Sequence, residues 1–546
     1  MRHHRKVVIA VIAGLALLAL SAPAAQASHL SAYAATSPSI PVYDPPPPAG
    51  AQVLKYKFGP LKIEPGQNTI KIDVQKQRPN VDGWIVGFRP GLVNASDGKA
   101  PPVTEVHLHH AVWLVDLKPT FAAGEEKTYF NAPPGFGWRY TTKQSWIINH
   151  MIHDLTPTPR EVYITYTLYF IPDTTPQAAH ITQVNTQWMD VEGGKPYPVF
   201  DALRGSGKHG RFTFPDDAKS PYPAGKHLNQ WVVDHDATLV ATAGHLHPGG
   251  LYTDLDLTRG GKTVRVFRSK ANYFEPAGAV SWDVAMGATT PGWKVNVKKG
   301  DILSVHATYD TSRASWYEVM GIMVVAITGQ PVDGGVDPFT QKVDQTNRLT
   351  HGRLKENIDV GVRKPNPGLS NPVKLADGPR MDRIVIKNFT FGQGDLSTSG
   401  KKGLPPVITE GQALTFINQD EPLTIRYHSI TACKTPCNLT GGIGYPLANG
   451  PRTFDSGELG YGATIASNVY SSVGIGTVPI TAAVNTPAPA ADCNGPGVDG
   501  LVKVISNGCV GTDQWSTPAN LPPGTYTYFC RIHPFMRGAF RVVKPT

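Results

Sequence analysis

Near the end of the chain, cysteine, histidine and methionine are spaced closely enough to bind one metal ion. Cys530, His533 and Met536 form a Cys-x2-His-x2-Met sequence, so one short loop offers a thiolate, an imidazole and a thioether. His428, far upstream at the end of a strand-like run, supplies a second imidazole. A trigonal set of two histidines and a cysteine with a weak axial methionine is the electron-transfer geometry of type 1 (blue) copper. The sequence therefore predicts a type 1 copper site on these four residues.

The C-terminal region, residues 381–546, resembles the cupredoxin family, and its ligand loop is most similar to that of amicyanin. The resemblance implies a Greek-key β-sandwich. Two features depart from the family pattern. Ser429 stands where the family usually has an asparagine, and a long insertion runs from about residue 433 to 515. Neither departure removes a predicted ligand.

The cysteine count supports a special role for Cys530. The chain has five cysteines, all after residue 430. Cys433, Cys437, Cys493 and Cys509 can form two disulfides in an oxidising compartment, and the sequence leaves all three pairings open. Cys530 remains as the unpaired thiol that the copper site needs.

Two histidine-rich strands occur earlier in the chain. One contains His107, His109 and His110, and the other contains His245 and His247. In a strand, His245 and His247 point to the same face, whereas the adjacent His109 and His110 need a bulge or a splayed approach to reach one ion. Imidazole suits copper, zinc, iron or nickel, so these strands are candidate metal sites.

Residues 100–328 resemble the copper type II, ascorbate-dependent monooxygenases, the family of peptidylglycine alpha-hydroxylating monooxygenase and dopamine beta-monooxygenase. In that family one domain holds a copper on three histidines that include an adjacent pair. The resemblance places this first type 2 copper on His109, His110 and His153, with His150 as the alternative third ligand. His107 is then either a neighbour that supports the site or a surface strand histidine.

The next domain of that family holds a second copper on a His-x-His pair and a methionine. The resemblance places these ligands at His245, His247 and Met320, while Met323 continues an apolar run and is predicted to be core. A thioether favours Cu(I), so this centre would meet dioxygen in its reduced state while the all-histidine centre stores a second electron. In contrast to the animal enzymes, residues 28–432 contain no cysteine.

The segments that must position these ligands are predicted to be short strands. The chain is divided into short runs by 55 glycines and 49 prolines. These runs are rich in Val, Ile, Thr and Tyr, which predicts an all-β protein. The resemblances imply two β-sandwich domains of the monooxygenase type followed by a cupredoxin sandwich. The predicted organisation is a signal peptide at 1–27, a Pro-rich linker at 28–50, β domains at 51–175 and 176–330, a linker at 331–380 and the cupredoxin domain at 381–546.

The N-terminus predicts export. Basic Arg2, Arg5 and Lys6 precede the apolar run Val7–Leu20 and a small-residue stretch typical of a cleaved signal peptide. No later segment is apolar for long enough to predict a membrane span in the mature protein. The formal net charge of +9 is not concentrated in a Lys/Arg block, so nucleic acid is not an expected partner. A secreted protein is predicted.

The leading hypothesis is a secreted copper oxidoreductase in which a type 1 copper domain serves a dicopper monooxygenase-like module. Its partners would be an unidentified electron donor or acceptor, dioxygen and a small-molecule substrate whose identity the sequence leaves open. The alternative is a copper-binding electron carrier without catalysis. A laccase-type multicopper oxidase is disfavoured, because Cys530 lies between Phe529 and Arg531 rather than between two histidines.

Overall fold

The protein is described by a computed structural model. It covers residues 40–65, 69–103, 105–124, 126–194, 198–274, 283–312, 315–355, 366, 368–420, 428–439, 453–456, 459, 464–467, 514–531 and 533–545. The predicted signal peptide, most of the segment before the Pro-rich run, and Cys493 and Cys509 lie outside these residues. Within them, no helix has the length and apolar character needed to cross a membrane.

The first part of the chain consists of strands around one apolar core. In the strand Arg160–Pro172, every second side chain from Val162 to Phe170 is buried, as expected for a strand with one face on a core. Phe88, Trp113 and Tyr166 form the aromatic centre of this core. The elements are β1 Gln52–Ile63, β2 Thr69–Val74, β3 Gly83–Asn94, β4 Val106–Val115, β5 Lys118–Gly124, β6 Phe130–Asn131, β7 Phe136–Tyr140, β8 Trp146–Asp154, β9 Arg160–Pro172 and the 3-10 helix Pro176–His180.

The second part surrounds a separate core that includes Leu255, Tyr309 and Trp316. Strand β20 is central, because it pairs antiparallel with β10, β11 and β14. The elements are β10 Thr182–Asp190, β11 Val199–Ala202, β12 Arg211–Phe214, β13 Gln230–Val232, β14 Ala237–Leu246, β15 Gly250–Arg259, β16 Lys262–Tyr273, β17 Val284–Ala288, β18 Val295–Val297, β19 Ile302–Asp310, β20 Trp316–Thr328 and β21 Arg348–Leu349.

Two segments that the sequence predicted as linkers make ordered contacts. In the segment 331–380, Val343 belongs to the second core, Phe339 packs against it and β21 pairs with β17. In the Pro-rich segment, Asp44 forms an ion pair with Arg89. These stretches lack the periodic pattern of a strand, yet they carry enough apolar and charged side chains to pack.

The last part has its own core, in which Phe416, Tyr528 and Phe540 pack together with Cys530 and Met536. Its strands form sheets in the orders β22-β24-β27 and β23-β29-β28-β25. The elements are β22 Arg383–Ile386, β23 Val407–Thr409, β24 Thr415–Asn418, β25 Thr431–Ala432, β26 Thr464–Ser467, β27 Gln514–Ser516, β28 Gly524–Phe529, β29 Arg537–Val543 and the 3-10 helices Pro372–Lys374 and Gly400–Gly403.

The predicted all-β class is confirmed, because the described chain is built from packed β-sheets with short 3-10 turns between them. One sheet matters most for function. It has the order β26-β2-β8-β4-β5 and carries the first histidine-rich strand on β4. The second histidine-rich strand is β14, which ends at Leu246 beside β20.

Candidate metal centres

The C-terminal ligand loop is the connection of a β-hairpin. Strands β28 and β29 pair until Phe529 lies opposite Arg537, so the seven residues between them form the loop that carries Cys530, His533 and Met536. The loop is closed by backbone hydrogen bonds, from Cys530 N to Met536 O at 3.1 Å and from Met536 N to His533 O at 2.8 Å. The rigid hairpin thereby fixes the separation of these ligands.

His428 completes this group from another strand. Thr431 of β25 pairs with Phe529 of β28, which brings the preceding His428 alongside Cys530. The Cys530 Sγ atom lies 3.8 Å from His428 Nδ1 and 3.6 Å from His533 Nδ1, and the two Nδ1 atoms are 3.2 Å apart. All three side chains are at most 1% exposed. We call His428, Cys530 and His533 the cysteine centre.

The cysteine centre favours an ionised thiol. The backbone N–H groups of Ser429 and His533 donate to Cys530 Sγ at 3.3 Å and 3.4 Å. Burial alone raises the pKa of Cys530, but the His533 and His428 imidazoles outweigh it and bring that pKa to about 5. The thiolate is the form that binds metal. Met536 is buried in the same core as Cys530, as an axial ligand would be.

Asp420 orients the first imidazole of this centre. The His428 Nε2 atom lies 2.8 Å from Asp420 Oδ2, and both side chains are almost fully buried. Burial by itself lowers the pKa of His428, but the hydrogen bonds and charges of Asp420 and Cys530 reverse this and raise it. Because Nε2 donates to the carboxylate, Nδ1 is left to face Cys530.

Replacing Asp420 with asparagine is expected to weaken Cu(II) binding about 10- to 100-fold and to raise the reduction potential of the centre. A carboxylate that accepts the imidazole proton makes the ring a stronger donor, and this favours the oxidised metal. Copper titration and spectroelectrochemistry of Asp420→Asn measure both effects. Asp455→Asn is the matched control outside the ligand set, and an unchanged potential in Asp420→Asn would contradict the role given to the carboxylate.

Two arginines tie the ligand loop to its surroundings. Arg537 is 1% exposed, and it donates from Nε to Pro534 O at 2.9 Å and from Nη1 to Cys437 O at 3.1 Å. Arg531 donates from Nη1 to Ser315 O at 2.7 Å and forms an ion pair with Asp455. Since Ser315 directly precedes β20, Arg531 connects the cysteine centre to the strand that carries Met320.

The disulfide beside this loop joins Cys433 to Cys437. Among the described residues, Cys530 is the free cysteine, and it is buried. This pairing belongs to one of the three connectivities that the sequence left open, and Cys530 is outside it. The other two cysteines of that prediction, Cys493 and Cys509, lie outside the described residues.

A second metal-binding group lies on β4 and β8. The ligand atoms of His107, His109 and His153 lie within 4.8 Å of one another, and we call these residues the histidine centre. His107 pairs directly with His153 across the two strands. The register then shifts between Leu108 and His110, so a β-bulge, one of the two arrangements considered for the adjacent histidines, occurs here.

The bulge gives His110 different surroundings from His109. His110 Nε2 lies 3.1 Å from Asn149 Oδ1, and the ring lines a cavity on the inner side of the sheet. The predicted first set of His109, His110 and His153 is therefore divided, with His107 in the place assigned to His110. The alternative ligand His150 lies 3.1 Å from Asp73 and is outside the histidine centre.

The predicted second set is also divided. His245 and Met320 line the same cavity as His110, whereas the His247 ring lies 4.5 Å from the His109 ring. Strand β14 ends at Leu246, so the alternation that would place both histidines on one face stops before His247. The His245 Nδ1 atom is held at 2.7 Å from the carboxylate of Glu126.

Tyr309 links the surroundings of His247 and Met320. The His247 backbone N–H donates to the Tyr309 hydroxyl at 3.0 Å, and that hydroxyl donates to the Met320 carbonyl at 2.6 Å. Met323, predicted to be core, is fully buried in the second core. Tyr309 therefore holds the end of β14 against β20.

Burial favours the neutral imidazoles of the histidine centre, and the neutral imidazole is the form that binds metal. Burial lowers the pKa of His107 to about 3, and burial together with neighbouring imidazoles lowers that of His109 far below its usual range. The His107 Nδ1 atom donates to Val103 O at 3.0 Å, so Nε2 carries the lone pair that can bind a metal. The donor sets therefore fit copper, with a thiolate in one group and imidazoles in the other.

The cysteine and histidine centres are electrostatic neighbours. The pKa of His153 is held well below its usual range by burial first, and then by the imidazoles of His107, His247 and His533. His533 is 1% exposed, so its ring is enclosed by protein rather than open to water. A ligand of the cysteine centre therefore acts electrostatically on a member of the histidine centre.

Sequence reasoning missed several residues of these centres. His107 carried a visible signal, because it alternates with His109 and therefore shares its face. Asp420 stands eight residues before His428, a spacing without a motif. Glu126 and Arg531 meet their partners only through the fold, and no sequence pattern indicates either contact.

Comparisons with known proteins identify no family. No family model matches the chain, and no curated protein matches it. Solved structures with a partial likeness include the capsid protein VP54 of PBCV-1, fitted into a reconstruction of the virophage Sputnik, at 8% identity over 57% of this chain and 99% of that chain, with a TM-score of 0.22. PNGase F, a glycosylasparaginase from Flavobacterium meningosepticum, matches at 8% identity over 54% of this chain and 94% of its own, with a TM-score of 0.19. The major capsid protein P2 of bacteriophage PM2 covers 53% of this chain and 96% of its own at 8% identity, with a TM-score of 0.20.

Proposed function

We propose that the protein is an exported copper-dependent oxidoreductase in which a type 1 copper site exchanges electrons with a monooxygenase-like module. The observation that carries this proposal is the proximity of two chemically different buried metal-binding groups. One contains Cys530 and the other contains only histidines, and the His533 imidazole of the first is near enough to lower the pKa of His153 in the second. A carrier that only shuttles electrons between partners has no need of a second centre beside the first.

Copper, when bound, supplies one-electron transfer at the cysteine centre and the reaction with dioxygen in the cavity. Insertion of one oxygen atom into a C–H bond consumes dioxygen, two electrons and two protons, and it releases water. The protein must therefore accept two single electrons in each turnover from an external one-electron donor. His533 is the ligand through which an internal electron route would run, because it is buried and its imidazole acts electrostatically on His153.

The residues that would hold copper follow from the grouping of their side chains. We assign the type 1 copper to His428, Cys530, His533 and Met536. We assign a type 2 copper to His107, His109 and His153, with His247 beside it. A further copper would lie in the cavity on His245 and Met320, with His110 as the neighbouring imidazole.

The types of ligand also assign different roles to the copper ions. Met320 supplies the soft thioether that favours Cu(I), so the cavity is the place where reduced metal would meet dioxygen. Glu126 fixes the His245 ring by accepting from Nδ1, and this leaves the Nε2 lone pair of a cavity-lining residue to bind a metal. Among the described residues, His245 Nε2 is buried without a hydrogen-bond partner, as expected for an atom reserved for a metal.

Electron transfer between the centres tests the proposal. After rapid anaerobic reduction of the type 1 copper in fully copper-loaded, oxidised protein, its colour is expected to return as the electron moves to the histidine centre. In His153→Ala this fast, concentration-independent phase should be lost, because the acceptor centre has lost a ligand. Stopped-flow absorption follows the phase, and electron paramagnetic resonance identifies the acceptor.

His150→Ala is the matched control for that experiment. It removes an imidazole from the same strand, but this imidazole contacts Asp73 and lies outside the histidine centre. It should retain the fast phase. If the colour returns equally fast in His153→Ala, or never returns within the parent molecule, the two centres do not exchange electrons as proposed.

A further inference from the structure

A cavity of about 300 Å³ lies between the sheet that carries β4 and the strands β10, β14 and β20. Val112 and Ile147 line it from one side, and Trp188 and Ile322 from the other. Since an apolar cavity of about 150 Å³ already accepts benzene, this one has room for a molecule of one or two rings. Its walls are mainly apolar, as in small-molecule sites.

His245 and Thr128 each contribute a polar atom without a protein partner to this lining. Within the described chain, His245 Nε2 and Thr128 Oγ1 are buried and make no hydrogen bond. Both residues line the cavity. A buried polar atom without a partner is costly, so such atoms in a cavity wall indicate a ligand that completes them. If His245 serves a metal, the Thr128 hydroxyl remains to bind the molecule that fills the cavity.

The lining disfavours a charged ligand. An ion would leave water for an apolar wall, and the nearest buried charge, Glu126, is already held by His245 and by the Gly124 N–H. A carboxylate ligand would in addition be repelled by Glu126. Thr128 is the partner for a neutral group, because a hydroxyl donates to a carbonyl or exchanges hydrogen bonds with another hydroxyl.

We propose that this cavity binds a neutral, mainly apolar molecule of one or two rings that carries a single hydroxyl or carbonyl group. Thr128 holds that polar group, and the apolar walls hold the ring body. The description of this molecule as a substrate rests on the proposed function, since its reacting carbon would then face His245 and Met320. Binding itself requires only the cavity.

Calorimetric titration of the metal-free, full-length protein with 2-naphthol tests the proposal. We expect saturable binding of one equivalent, and weaker binding or none for the charged analogue 2-naphthoate. Val112→Phe and Ala122→Phe fill the cavity from different strands, and each should abolish binding of 2-naphthol. Two variants are used so that the test still has a result if one of them fails to fold. The thermal unfolding transition of each variant is compared with that of the parent protein.

Thr128→Val distinguishes the polar contact from simple apolar capture. It should weaken the binding of 2-naphthol about three- to tenfold, the range expected for loss of one neutral hydrogen bond. The binding of naphthalene, which has no polar group, should be unchanged. Thr350→Val is the matched control, because Thr350 Oγ1 is also buried without a partner but lines the neighbouring cavity. It should leave 2-naphthol binding unchanged.

Several outcomes would overturn the inference. They are the absence of 2-naphthol binding, equal binding of 2-naphthoate, retained binding in both cavity-filling variants, and equal effects of Thr128→Val and Thr350→Val. These results do not depend on copper. Binding without oxidation in the copper-loaded protein would count against the proposed function alone, and oxidation without binding in this cavity would count against this inference alone.

Discussion

Replacing Cys530 with serine is expected to abolish the intense blue absorption of the copper-loaded protein completely. The absorption arises from charge transfer between a thiolate and copper, and a serine hydroxyl supplies no thiolate. The histidine centre shares no ligand with the cysteine centre, so copper bound there should remain. Visible absorption and electron paramagnetic resonance, together with copper analysis, measure the two effects separately.

The disulfide supplies the control for this variant. The double variant Cys433→Ser and Cys437→Ser removes sulfur near the same loop without touching a ligand. It should keep the blue absorption, because all the ligands remain and the backbone carbonyl of residue 437 can still accept from Arg537. Blue colour in Cys530→Ser, or its loss only in the double variant, would disprove the assignment of Cys530.

Replacing His107 with alanine is expected to remove about one equivalent of copper and the type 2 signal of the histidine centre. The prediction follows from the geometry, because His107, His109 and His153 form one group of ligand atoms. Leaving two imidazoles in a buried site removes a ligand and opens a cavity, and both weaken binding. Copper stoichiometry after dialysis against a mild chelator gives the result.

His110→Ala separates this geometry from the assignment based on family resemblance. His110 is adjacent to His109 in sequence but contacts Asn149 and lines the cavity. Its removal should leave the histidine centre loaded and affect only copper held by His245 and Met320. The opposite result would be loss of copper from the histidine centre in His110→Ala and its retention in His107→Ala. In that case the copper-loaded protein uses the adjacent pair His109 and His110, and not the group of His107, His109 and His153.

The cysteine centre was accessible from sequence because its chemistry is local. Cys530, His533 and Met536 lie on one hairpin loop, whose length sets their separation whatever surrounds it. The alternation of strand residues likewise predicted the all-β class, since burial of every second side chain is a property of each strand. The choice of His428 needed more, but an odd cysteine count and a strand-end histidine left few alternatives.

The sequence determined which residue types are present and which of them share a strand face, and it indicated that His109 and His110 need a bulge or a splayed approach to reach one ion. Only the tertiary structure decided where each ring points. The bulge turns His110 toward the cavity and leaves His107 with His109, and the end of β14 separates His247 from His245. Asp420, Glu126 and Arg531 acquire their partners across distant parts of the chain. The physical reason is that alternation along a strand fixes the direction of a side chain only where the strand pairing is regular. The histidines discussed here lie where the pairing shifts register or where a strand ends.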